Sequence, residues 1–394
     1  MQALVIDTSN EPWESSRGFT KTDLEMPVLD EANNPSDASS VIVKMKFAGV
    51  CGSDRGLWHR AAFKDLFLQG LRTDAKTQRI VGHEFLGEIV AAGSMVSTLY
   101  SDPDPRNQAK IEVVNLVSGD SHVTCGRCYQ CRIGESNVCL NEAILGISID
   151  GVFAEYVKLP AKNLWSVDES RIRPEVAAIF DPFGNAVHSL TKVDVRGQRV
   201  AIFGCGPIGL FSLLLARNFG AAKVIMIDVS DANLAMAKQL GADEVIKIES
   251  TQKGHSWQGD PDVIARIMEL TYGKGVDVAL EMAGPQSSIN NALDSVRRGG
   301  DVVLFGIKDG DLTVPSFSRL IARGVTIHCV IGRQIFKTWQ ISQRVLSNHS
   351  NRIQDSIWNV ILNEGKDTIV PISEFDPASF EQKMNDKPKL LFKM

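Results

Sequence analysis

The fold is decided by the stretch Arg199-Val-Ala-Ile-Phe-Gly-Cys-Gly-Pro-Ile-Gly209, in which an apolar run leads directly into the pattern Gly-x-Gly-x-x-Gly. The run predicts a buried strand, and the apolar residues after the proline predict a helix. In that context the first glycine permits a tight turn, the second lets a pyrophosphate approach the backbone, and the third lets helix and strand pack closely. The residues that we predict to bind a dinucleotide here are Gly204, Gly206, Pro207, Ile208 and Gly209.

An acidic residue at the end of the following apolar run selects the cofactor. Asp228 lies 19 positions beyond Gly209, close to the spacing of about 20 at which such an acid hydrogen-bonds the adenosine ribose. Its charge would repel a 2′-phosphate, and residues 229–233 contain no Arg or Lys to neutralise one. We therefore expect NAD rather than NADP.

The chain beyond this motif alternates short apolar runs with helix-like segments. Such alternation is typical of βαβ units and a parallel sheet covered on both faces, and six strands is the number in a full dinucleotide-binding domain. The predicted strands are 199–203, 223–227, 244–248, 276–280, 301–305 and 325–330, and the predicted helices are 208–219, 231–240, 262–271 and 286–297.

Composition narrows the class of protein. The chain has 394 residues, 44% hydrophobic and 23% charged, with a net charge of −5. This is the mix of a globular protein of two domains, and the acidic balance argues against nucleic acid or an anionic membrane as a partner. The N-terminus lacks the pattern of a signal peptide, and no apolar run is long enough to span a bilayer. We expect a cytoplasmic protein.

Residues 1 to about 186 have a different sequence pattern from the rest of the chain, since they are rich in short strand-like runs separated by Gly, Asp and Ser. Four of the seven cysteines fall within this part in the spacing Cys-x2-Cys-x2-Cys-x7-Cys. Two-residue spacings let neighbouring thiolates converge on one ion, and four thiolates complete a closed, tetrahedral zinc shell. We predict a structural zinc site at Cys125, Cys128, Cys131 and Cys139.

Two further motifs suggest a second metal. Cys51 begins Cys-Gly-Ser-Asp after one apolar run, and His83 stands in Gly-His-Glu after another. A lone Cys and a distant His are weak evidence, but a nicotinamide enzyme that oxidises an alcohol must stabilise a developing alkoxide. A zinc ion with an exchangeable position does this as a Lewis acid.

These motifs together resemble those of the zinc-dependent medium-chain dehydrogenases. The resemblance covers nearly the whole chain and implies an α/β protein with two domains. One is a GroES-like, β-rich catalytic domain made of residues 1–186 and 338–394, and the other is a doubly wound Rossmann domain of residues 187–337 with a six-stranded parallel sheet. It implies that Cys51 and His83 hold the catalytic zinc, that Glu84 is a ligand or exchanges with water, and that Asp181 completes the shell.

Within that superfamily the chain is most similar to the L-threonine 3-dehydrogenases. The strings that carry this similarity are Asp181-Pro-Phe-Gly-Asn-Ala-Val-His188, Gly151-Val-Phe-Ala-Glu-Tyr-Val157, Ser121-His-Val-Thr-Cys-Gly126 and Gly332-Arg-Gln-Ile-Phe-Lys-Thr-Trp339. The similarity implies a small-molecule alcohol as substrate, oxidation of L-threonine to 2-amino-3-oxobutyrate, and a homo-tetramer. By this similarity His122 falls on a substrate-recognition residue, and Arg333 is expected near the substrate or the nicotinamide, as a cofactor-binding residue.

Departures from the family pattern leave the identity of the alcohol substrate undecided at this point. The family usually reads Cys-Gly-Thr-Asp-x-His, the last His relaying a proton, whereas Gly56 stands at that position here. His59 is a candidate replacement, Ser53 is expected to accept the alcohol proton, and Asp54 supports the site. Segments 57–79 and 97–115 also differ from the family. A polyol, sugar or cyclitol dehydrogenase with the same zinc and NAD is therefore the alternative, and a non-catalytic NAD-binding protein is a remote one.

Overall fold

The structure is a computed structural model that describes residues 1–9, 11–100, 111–113, 115–249, 255–307 and 310–394. The chain forms two compact units. The split unit contains Met1–Pro182 and Arg333–Met394, and the continuous unit contains Phe183–Gly332. Most of segment 97–115, whose role the sequence left open, lies outside the described residues, since 101–110 and 114 are not among them.

The N-terminal part of the split unit is built mainly from strands. They are β1 (Gln2–Asp7), β2 (Thr20–Asp23), β3 (Ser40–Val50), β4 (Gln78–Ile80), β5 (Glu84–Ala92), β6 (Leu116–Gly119), β7 (His122–Val123), β8 (Ala143–Ile144), β9 (Tyr156–Pro160) and β10 (Leu164–Ser166). The helices are α1 (Gly52–Trp58), α2 (Lys64–Thr73), α3 (Val96–Tyr100), α4 (Tyr129–Arg132), α5 (Pro174–Ala177) and α6 (Phe180–Leu190). The boundary between the units falls within α6.

The remaining elements complete both units. Those of the continuous unit are β11 (Arg199–Phe203), α7 (Pro207–Asn218), β12 (Lys223–Asp228), α8 (Asp231–Gln239), β13 (Glu244–Lys247), α9 (Pro261–Leu270), β14 (Val276–Glu281), α10 (Gln286–Ser295), β15 (Val296–Leu304), α11 (Phe317–Arg323) and β16 (Thr326–Cys329). Those that return to the split unit are α12 (Lys337–Leu346), α13 (Ile353–Ser356), which continues as a π-turn over Ile357–Ile361, then β17 (Ile369–Pro371), α14 (Pro377–Asp386) and β18 (Leu390–Lys393).

Strand β3 organises the split unit. The main sheet has the order β10-β6-β5-β3-β18-β17, with β9 also paired to β3. Its antiparallel register with β5 places Gly49 opposite Glu84, and its register with β18 places Val50 opposite Leu390. The chain therefore leaves β3 at Cys51 beside the point where it enters β5 at Glu84. Residues that are far apart in sequence meet here because of strand register alone.

Beneath this sheet lies a core rich in aromatic side chains. Phe153 contacts Phe392 edge to face at 4.9 Å between ring centroids, and Phe380 stacks on Phe392 at 5.1 Å. All three rings are buried. Offset and edge-to-face contacts of this kind stabilise a core beyond the area that they bury, so the last strand is fixed by packing as well as by pairing. This is the expected return of the C-terminal tail to the first part of the chain.

Within the described residues, the continuous unit contains one six-stranded parallel sheet, in the order β13-β12-β11-β14-β15-β16. Helices connect successive strands, and inward-facing residues such as Ala201, Ile225 and Ala279 are fully buried. Strands β11 and β12 end side by side because they are parallel and in register. The glycine turn and Asp228 therefore lie at the same edge of the sheet, where doubly wound folds bind their ligands.

The predicted fold class is confirmed, with differences at element ends. Strand β15 begins at Val296, five residues before the predicted 301, and α11 was not predicted at all. Segment 57–79 contains α2, whose buried face includes Phe67 and Leu71. No helix in the part of the chain that the structure describes is long and apolar enough to cross a membrane.

Candidate functional site

One group of metal-ligating side chains forms where β3 and β5 meet. Cys51, His83 and Glu84 each offer a ligand atom, and these atoms all lie within 4.8 Å of one another. His83 and Glu84 are buried, and Cys51 is partly buried. The group follows directly from the register of the two strands.

Helix α1 holds two of these ligands in place. The Asp54 carboxylate accepts a hydrogen bond from the Cys51 backbone N–H at 2.8 Å, as expected for an acid in the first turn of a helix. Its other oxygen, Oδ1, lies 3.4 Å from Nδ1 of His83. A carboxylate on one ring nitrogen orients the imidazole and leaves the other nitrogen to a metal. Ser53 Oγ lies 3.3 Å from that second nitrogen, Nε2.

A buried lysine neutralises the third member of the group. Glu84 Oε2 accepts a hydrogen bond from Lys389 Nζ, which also donates to the Val50 carbonyl at 2.9 Å. Burial raises the pKa of the Glu84 carboxyl, and the positive charge of Lys389 opposes that shift. Lys389 was not predicted from sequence, since it stands 305 residues away at the start of the last strand.

The donor set fits zinc. A thiolate, an imidazole and a carboxylate are the three ligand types that zinc takes in proteins. Glu84 Oε1 is buried and has no hydrogen-bond partner among the described residues, which is costly unless a cation or donor meets it. Cys51, His83 and Glu84 would therefore hold the ion, which leaves a fourth position for a further ligand.

Asp181 is buried in the first turn of α6 and is not brought into this group. Its Oδ1 accepts a hydrogen bond from Arg333 Nη1 at 2.9 Å, and its Oδ2 accepts one from the Ser121 N–H at 3.1 Å. Glu84, rather than Asp181, is thus the carboxylate that stands with Cys51 and His83. That Asp181 completes the zinc shell stays a prediction.

Two other predicted residues have polar partners in the split unit. His122 begins β7, and its Nδ1 lies 2.7 Å from Glu142 Oε2. Arg333 is buried between Asp181 and Asp120, and its Nη2 lies 2.7 Å from Asp120 Oδ1. Their predicted roles toward substrate and cofactor stay predictions, but the ionic partners of Arg333 were not foreseen.

The four clustered cysteines also converge. The sulfur atoms of Cys125, Cys128, Cys131 and Cys139 lie within 4.8 Å of one another. Backbone N–H groups donate to them, from Cys128 to Cys125 Sγ at 3.3 Å and from Asn141 to Cys139 Sγ at 3.4 Å. Backbone hydrogen bonds from Arg127 and Cys128 lower the pKa of Cys125 to about 6. Four thiols that face one point, with amides that stabilise thiolate, fit a closed zinc site.

The other two cysteines are free thiols in the continuous unit. Cys205 is buried, and burial raises the pKa of its thiol. Cys329 is exposed at the end of β16. An edge strand has only one neighbour, so its side chains need not be covered.

The glycine turn has the geometry that a dinucleotide requires. Gly204 has φ = +98°, which favours glycine, and a Cβ on Gly209 would lie 1.9 Å from the Gly204 carbonyl oxygen. A Cβ on Gly206 would meet nothing within 4 Å. This glycine therefore borders open space at the N-terminus of α7, where helix N–H groups favour an anion. The residues fit the pyrophosphate of a dinucleotide.

Two acids frame this turn. Asp228 ends β12, with Oδ2 accepting from the Cys205 N–H at 2.5 Å and Oδ1 from the Ser230 N–H at 2.7 Å. Glu281 ends β14, is buried, and accepts from the N–H groups of Ala283 and Gly284 at 2.9 Å. It thereby holds the turn whose Ala283 packs against Gly204. Glu281 was missed from sequence, although its position at a strand end, three residues before Gly284, was a usable signal.

Comparison with known proteins finds relatives that match most of the chain. The family model described as "Alcohol dehydrogenase GroES-like domain" matches residues 37–169, and "Zinc-binding dehydrogenase" matches 207–348. A protein of Bacillus subtilis named L-threonine 3-dehydrogenase is 35% identical over 82% of this chain and 84% of its own length. One of Pyrococcus horikoshii with the same name is 34% identical over 78% and 80%. The chain belongs to the zinc-dependent alcohol dehydrogenase family.

Solved structures show the same fold for this dehydrogenase. An alcohol dehydrogenase from Thermus sp. ATN1 superposes with a TM-score of 0.76 at 24% identity, and galactitol-1-phosphate dehydrogenase from Escherichia coli with 0.77 at 22%. Each alignment covers all of both chains. The enzyme is an NAD-dependent zinc alcohol dehydrogenase, with a catalytic and a structural zinc.

The dehydrogenase departs from its family beside Ser53. A Cβ added to Gly56 would lie 2.9 Å from Cβ of Ala62, in the turn between α1 and α2. That turn is tight, with Arg60 and Phe63 at positive φ. A side chain at position 56, where the family usually has its relay histidine, would thus be crowded by the Ala62 side chain. His59 lies at the end of α1, where burial and the charge of Arg17 lower the pKa of its imidazole.

Proposed function

We propose that this dehydrogenase oxidises the 3-hydroxyl of L-threonine with NAD and forms 2-amino-3-oxobutyrate. The observation that carries the proposal is the identity of 31–35% to proteins named L-threonine 3-dehydrogenase, over 78–82% of this chain. The buried Cys51, His83 and Glu84 group supports the reaction type, because oxidation of a secondary alcohol needs a stabilised alkoxide.

Each part of the chain has a distinct task in this reaction. When bound, zinc supplies Lewis acidity to the alcohol oxygen and NAD accepts the hydride. Cys51, His83 and Glu84 hold the ion, and Asp54 fixes the orientation of His83. Ser53 Oγ, beside His83 Nε2, can accept the alcohol proton and pass on its own, since a hydroxyl both donates and accepts.

The cofactor tasks lie in the continuous unit. The glycine turn before α7 binds the pyrophosphate, and Asp228 binds the ribose hydroxyls and disfavours a 2′-phosphate.

We place substrate recognition at His122, whose bond with Glu142 fixes the orientation of its ring. We place Arg333 near the substrate or the nicotinamide. Its side chain is held there by hydrogen bonds to Asp181 and Asp120.

A substrate panel tests the proposal. L-threonine, sorbitol, inositols, glucose and simple secondary alcohols are each supplied with NAD, and NADH absorbance is followed. We expect kcat/KM to be highest for L-threonine and to vanish in Cys51→Ser. Higher kcat/KM for a polyol or sugar with the same zinc dependence would replace the substrate and keep the chemistry.

The polyol, sugar or cyclitol alternative rests on the changed region after Ser53. Gly56 and the helix α2 inserted after it alter residues close in sequence to the ligand Cys51. Such changes shift substrate preference while preserving the metal ligands. The remote alternative, a non-catalytic NAD-binding protein, requires that no member of the panel be oxidised.

We also propose a cytoplasmic homo-tetramer. All seven cysteines lie in the described ranges and are free thiols, which suits a reducing compartment. Edge strand β16 and helix α11 expose Phe317, Ile321 and Ile327, and exposed apolar side chains on a sheet edge favour pairing with a second copy. Sedimentation velocity tests this, with Ile327→Lys expected to dissociate the assembly and Val245→Lys, on the opposite edge strand, as its control.

A further inference from the structure

A basic cleft lies at the end of the parallel sheet opposite the glycine turn. It has a volume of about 280 Å³, and its walls come from the ends of α9 and α10, from α11 and from the start of β15. Five cations surround one acid here, in a chain whose net charge is −5. A concave surface with such an excess of one sign attracts ligands of the opposite sign. The charged lining residues are Lys274, Asp294, Arg297, Arg298, Arg319 and Arg323.

Arg323 forms the buried side of this basic cleft. Its side chain is 10% exposed. Its Nη1 donates to the Leu293 carbonyl at 3.0 Å, and its Nη2 donates to the Val296 carbonyl. These bonds fix the guanidinium between α10 and β15. Burial lowers the pKa of Arg323, and the positive charges of Arg319 and Arg298 lower it further, so an anion bound among these groups would relieve their repulsion.

The one acid of the basic cleft is shared between two arginines. Asp294 Oδ1 lies 3.7 Å from Arg319 Nη1 and 3.8 Å from Arg323 Nη1. Both distances are too long for hydrogen bonds, and one carboxylate can balance only one guanidinium charge. Arg297 is different, because Asp277 accepts a hydrogen bond from its Nε at 2.6 Å.

Two cations of the basic cleft have no acidic partner among the described residues. Lys274 is exposed between α9 and β14, flanked by Gly273 and Gly275, and its Nζ forms no hydrogen bond or ion pair within the described ranges. Arg298 donates from Nη1 to a backbone carbonyl, that of Ala322, at 3.3 Å. A guanidinium offers five N–H donors and an ammonium offers three. Most of these donors are therefore free for a ligand, and phosphate oxygens are the acceptors that such groups bind best.

We propose that the basic cleft binds a small molecule that carries two phosphate groups. Two phosphate monoesters carry about −3 to −4 at pH 7. This balances an excess of three or four positive charges, depending on whether Asp277 is counted against Arg297. The volume is near the lower end of the range for ligand pockets, which suits a sugar-sized molecule and is too small to enclose a dinucleotide.

This site is separate from the cofactor site. The six residues of β14 run from the end of the sheet that carries the basic cleft to the end that carries the glycine turn, a length of about 17 Å. A ligand in the cleft would therefore leave the glycine turn free. The proposal does not depend on which alcohol the enzyme oxidises, and no turnover is needed to test it.

Calorimetric titration of the NADH-saturated enzyme tests the proposal, because bound NADH occupies the glycine turn. The probe is glucose 1,6-bisphosphate, and glucose 1-phosphate is its matched comparison with one phosphate group. We expect one bisphosphate per chain with Kd below about 1 mM in ~0.15 M KCl, and binding of the monophosphate at least about tenfold weaker. No binding of the bisphosphate at about 10 mM would overturn the proposal. Equal affinity for both probes would overturn the assignment of two phosphate groups.

Two double variants locate the site. Lys274→Ala with Arg298→Ala removes the cations that have no acidic partner, and we expect Kd for the bisphosphate to rise at least about tenfold. Lys238→Ala with Arg217→Ala removes the same two residue types beside β12 and β13, where both contact Asp243. This control should change Kd less than about twofold, since long-range attraction is screened. Equal weakening in the two double variants would mean general charge attraction and would contradict the proposal.

Thermal unfolding of the unmodified enzyme gives a second test that does not depend on how the variants fold. A ligand that binds only the folded state raises Tm, by about 2 °C at ten times Kd for a protein of this size. We expect this rise with glucose 1,6-bisphosphate, and a smaller one with the same concentration of glucose 1-phosphate. An unchanged Tm with the bisphosphate would overturn the proposal.

Discussion

At the tip of β12, the Asp228 carboxylate already has two backbone partners, the N–H groups of Cys205 and Ser230. A carboxylate offers about four lone-pair sites, so two sites remain for ribose hydroxyls. The backbone contacts fix the direction in which these sites point. One residue thus links the glycine turn to the recognition of the nucleotide.

Replacing this acid should change cofactor choice. In Asp228→Ala we expect kcat/KM with NAD to fall about 10- to 100-fold, since hydrogen bonds to a charged group contribute about 1.5–3 kcal/mol each. The value with NADP should fall less or rise, because the repulsion of a 2′-phosphate is removed. Asp231→Ala removes a nearby exposed acid paired with Lys247 and should change neither value. Equal losses with both cofactors would contradict the assignment.

Cys51 is likewise a single residue on which one function depends, since it supplies the thiolate ligand of the catalytic zinc. Cys51→Ser should lower kcat with the best alcohol by at least about 10³-fold, because the soft thiolate ligand is lost. NADH binding, followed by fluorescence, should stay within about twofold, since the glycine turn belongs to another unit. Cys329→Ser, an exposed thiol, serves as the control. Retained turnover in Cys51→Ser would show that the catalytic zinc lies elsewhere.

At the scale of elements, one acid ties three strands of the parallel sheet together. Asp277 in β14 accepts hydrogen bonds from Arg199 in β11 at 3.0 Å and from Arg297 in β15 at 2.6 Å. Although burial raises the pKa of Asp277, these two arginines outweigh it and lower the value to about 2. The sheet is therefore joined by charge at the end opposite the glycine turn.

This contact predicts a pH-dependent stability. The folded pKa of Asp277 lies below its ordinary value of 3.8, so its stabilisation is complete above about pH 4 and is lost as pH falls toward 2. Asp277→Asn should lower the free energy of unfolding of the continuous unit by about 2 kcal/mol at pH 7. Urea titrations at pH 7 and pH 3 should show a smaller difference at pH 3. An equal difference at both values would rule out the charge as its source.

Sequence predicted the elements whose signals are local. The glycine turn, Asp228 and the four clustered cysteines follow fixed spacings, so a sequence pattern is enough to predict them; their roles toward cofactor and metal stay predictions. The role of Lys389 and the ionic partners of Arg333 could not be found in this way, because the acids that they contact stand 305 and 213 residues away. Strand register and packing bring these charges together, and neither leaves a pattern along the chain.

The number of zinc ions in the whole molecule follows from its two groups of metal ligands, the one that contains Cys51 and the four clustered cysteines. The intact enzyme should contain two zinc ions per chain, by elemental analysis after gel filtration. Cys51→Ser and Cys128→Ser should each contain one. Only Cys128→Ser should also lose about 4 °C or more in Tm, since a closed zinc site contributes folding energy and ~1 kcal/mol shifts Tm by about 2–4 °C. One zinc in the intact enzyme would instead indicate a scaffold without a catalytic metal.

The long stretch of chain between the paired strands β3 and β18 has a consequence for biosynthesis. Val50 and its partner Leu390 are separated by 340 residues, about 17 to 70 seconds of translation at ~5–20 residues per second. All 150 residues of the continuous unit leave the ribosome within that interval. During this interval Glu84 lacks its ion-pair partner Lys389. A nascent chain can thus contain all the residues of its nucleotide-binding unit before Glu84 gains Lys389 as its neutralising cation.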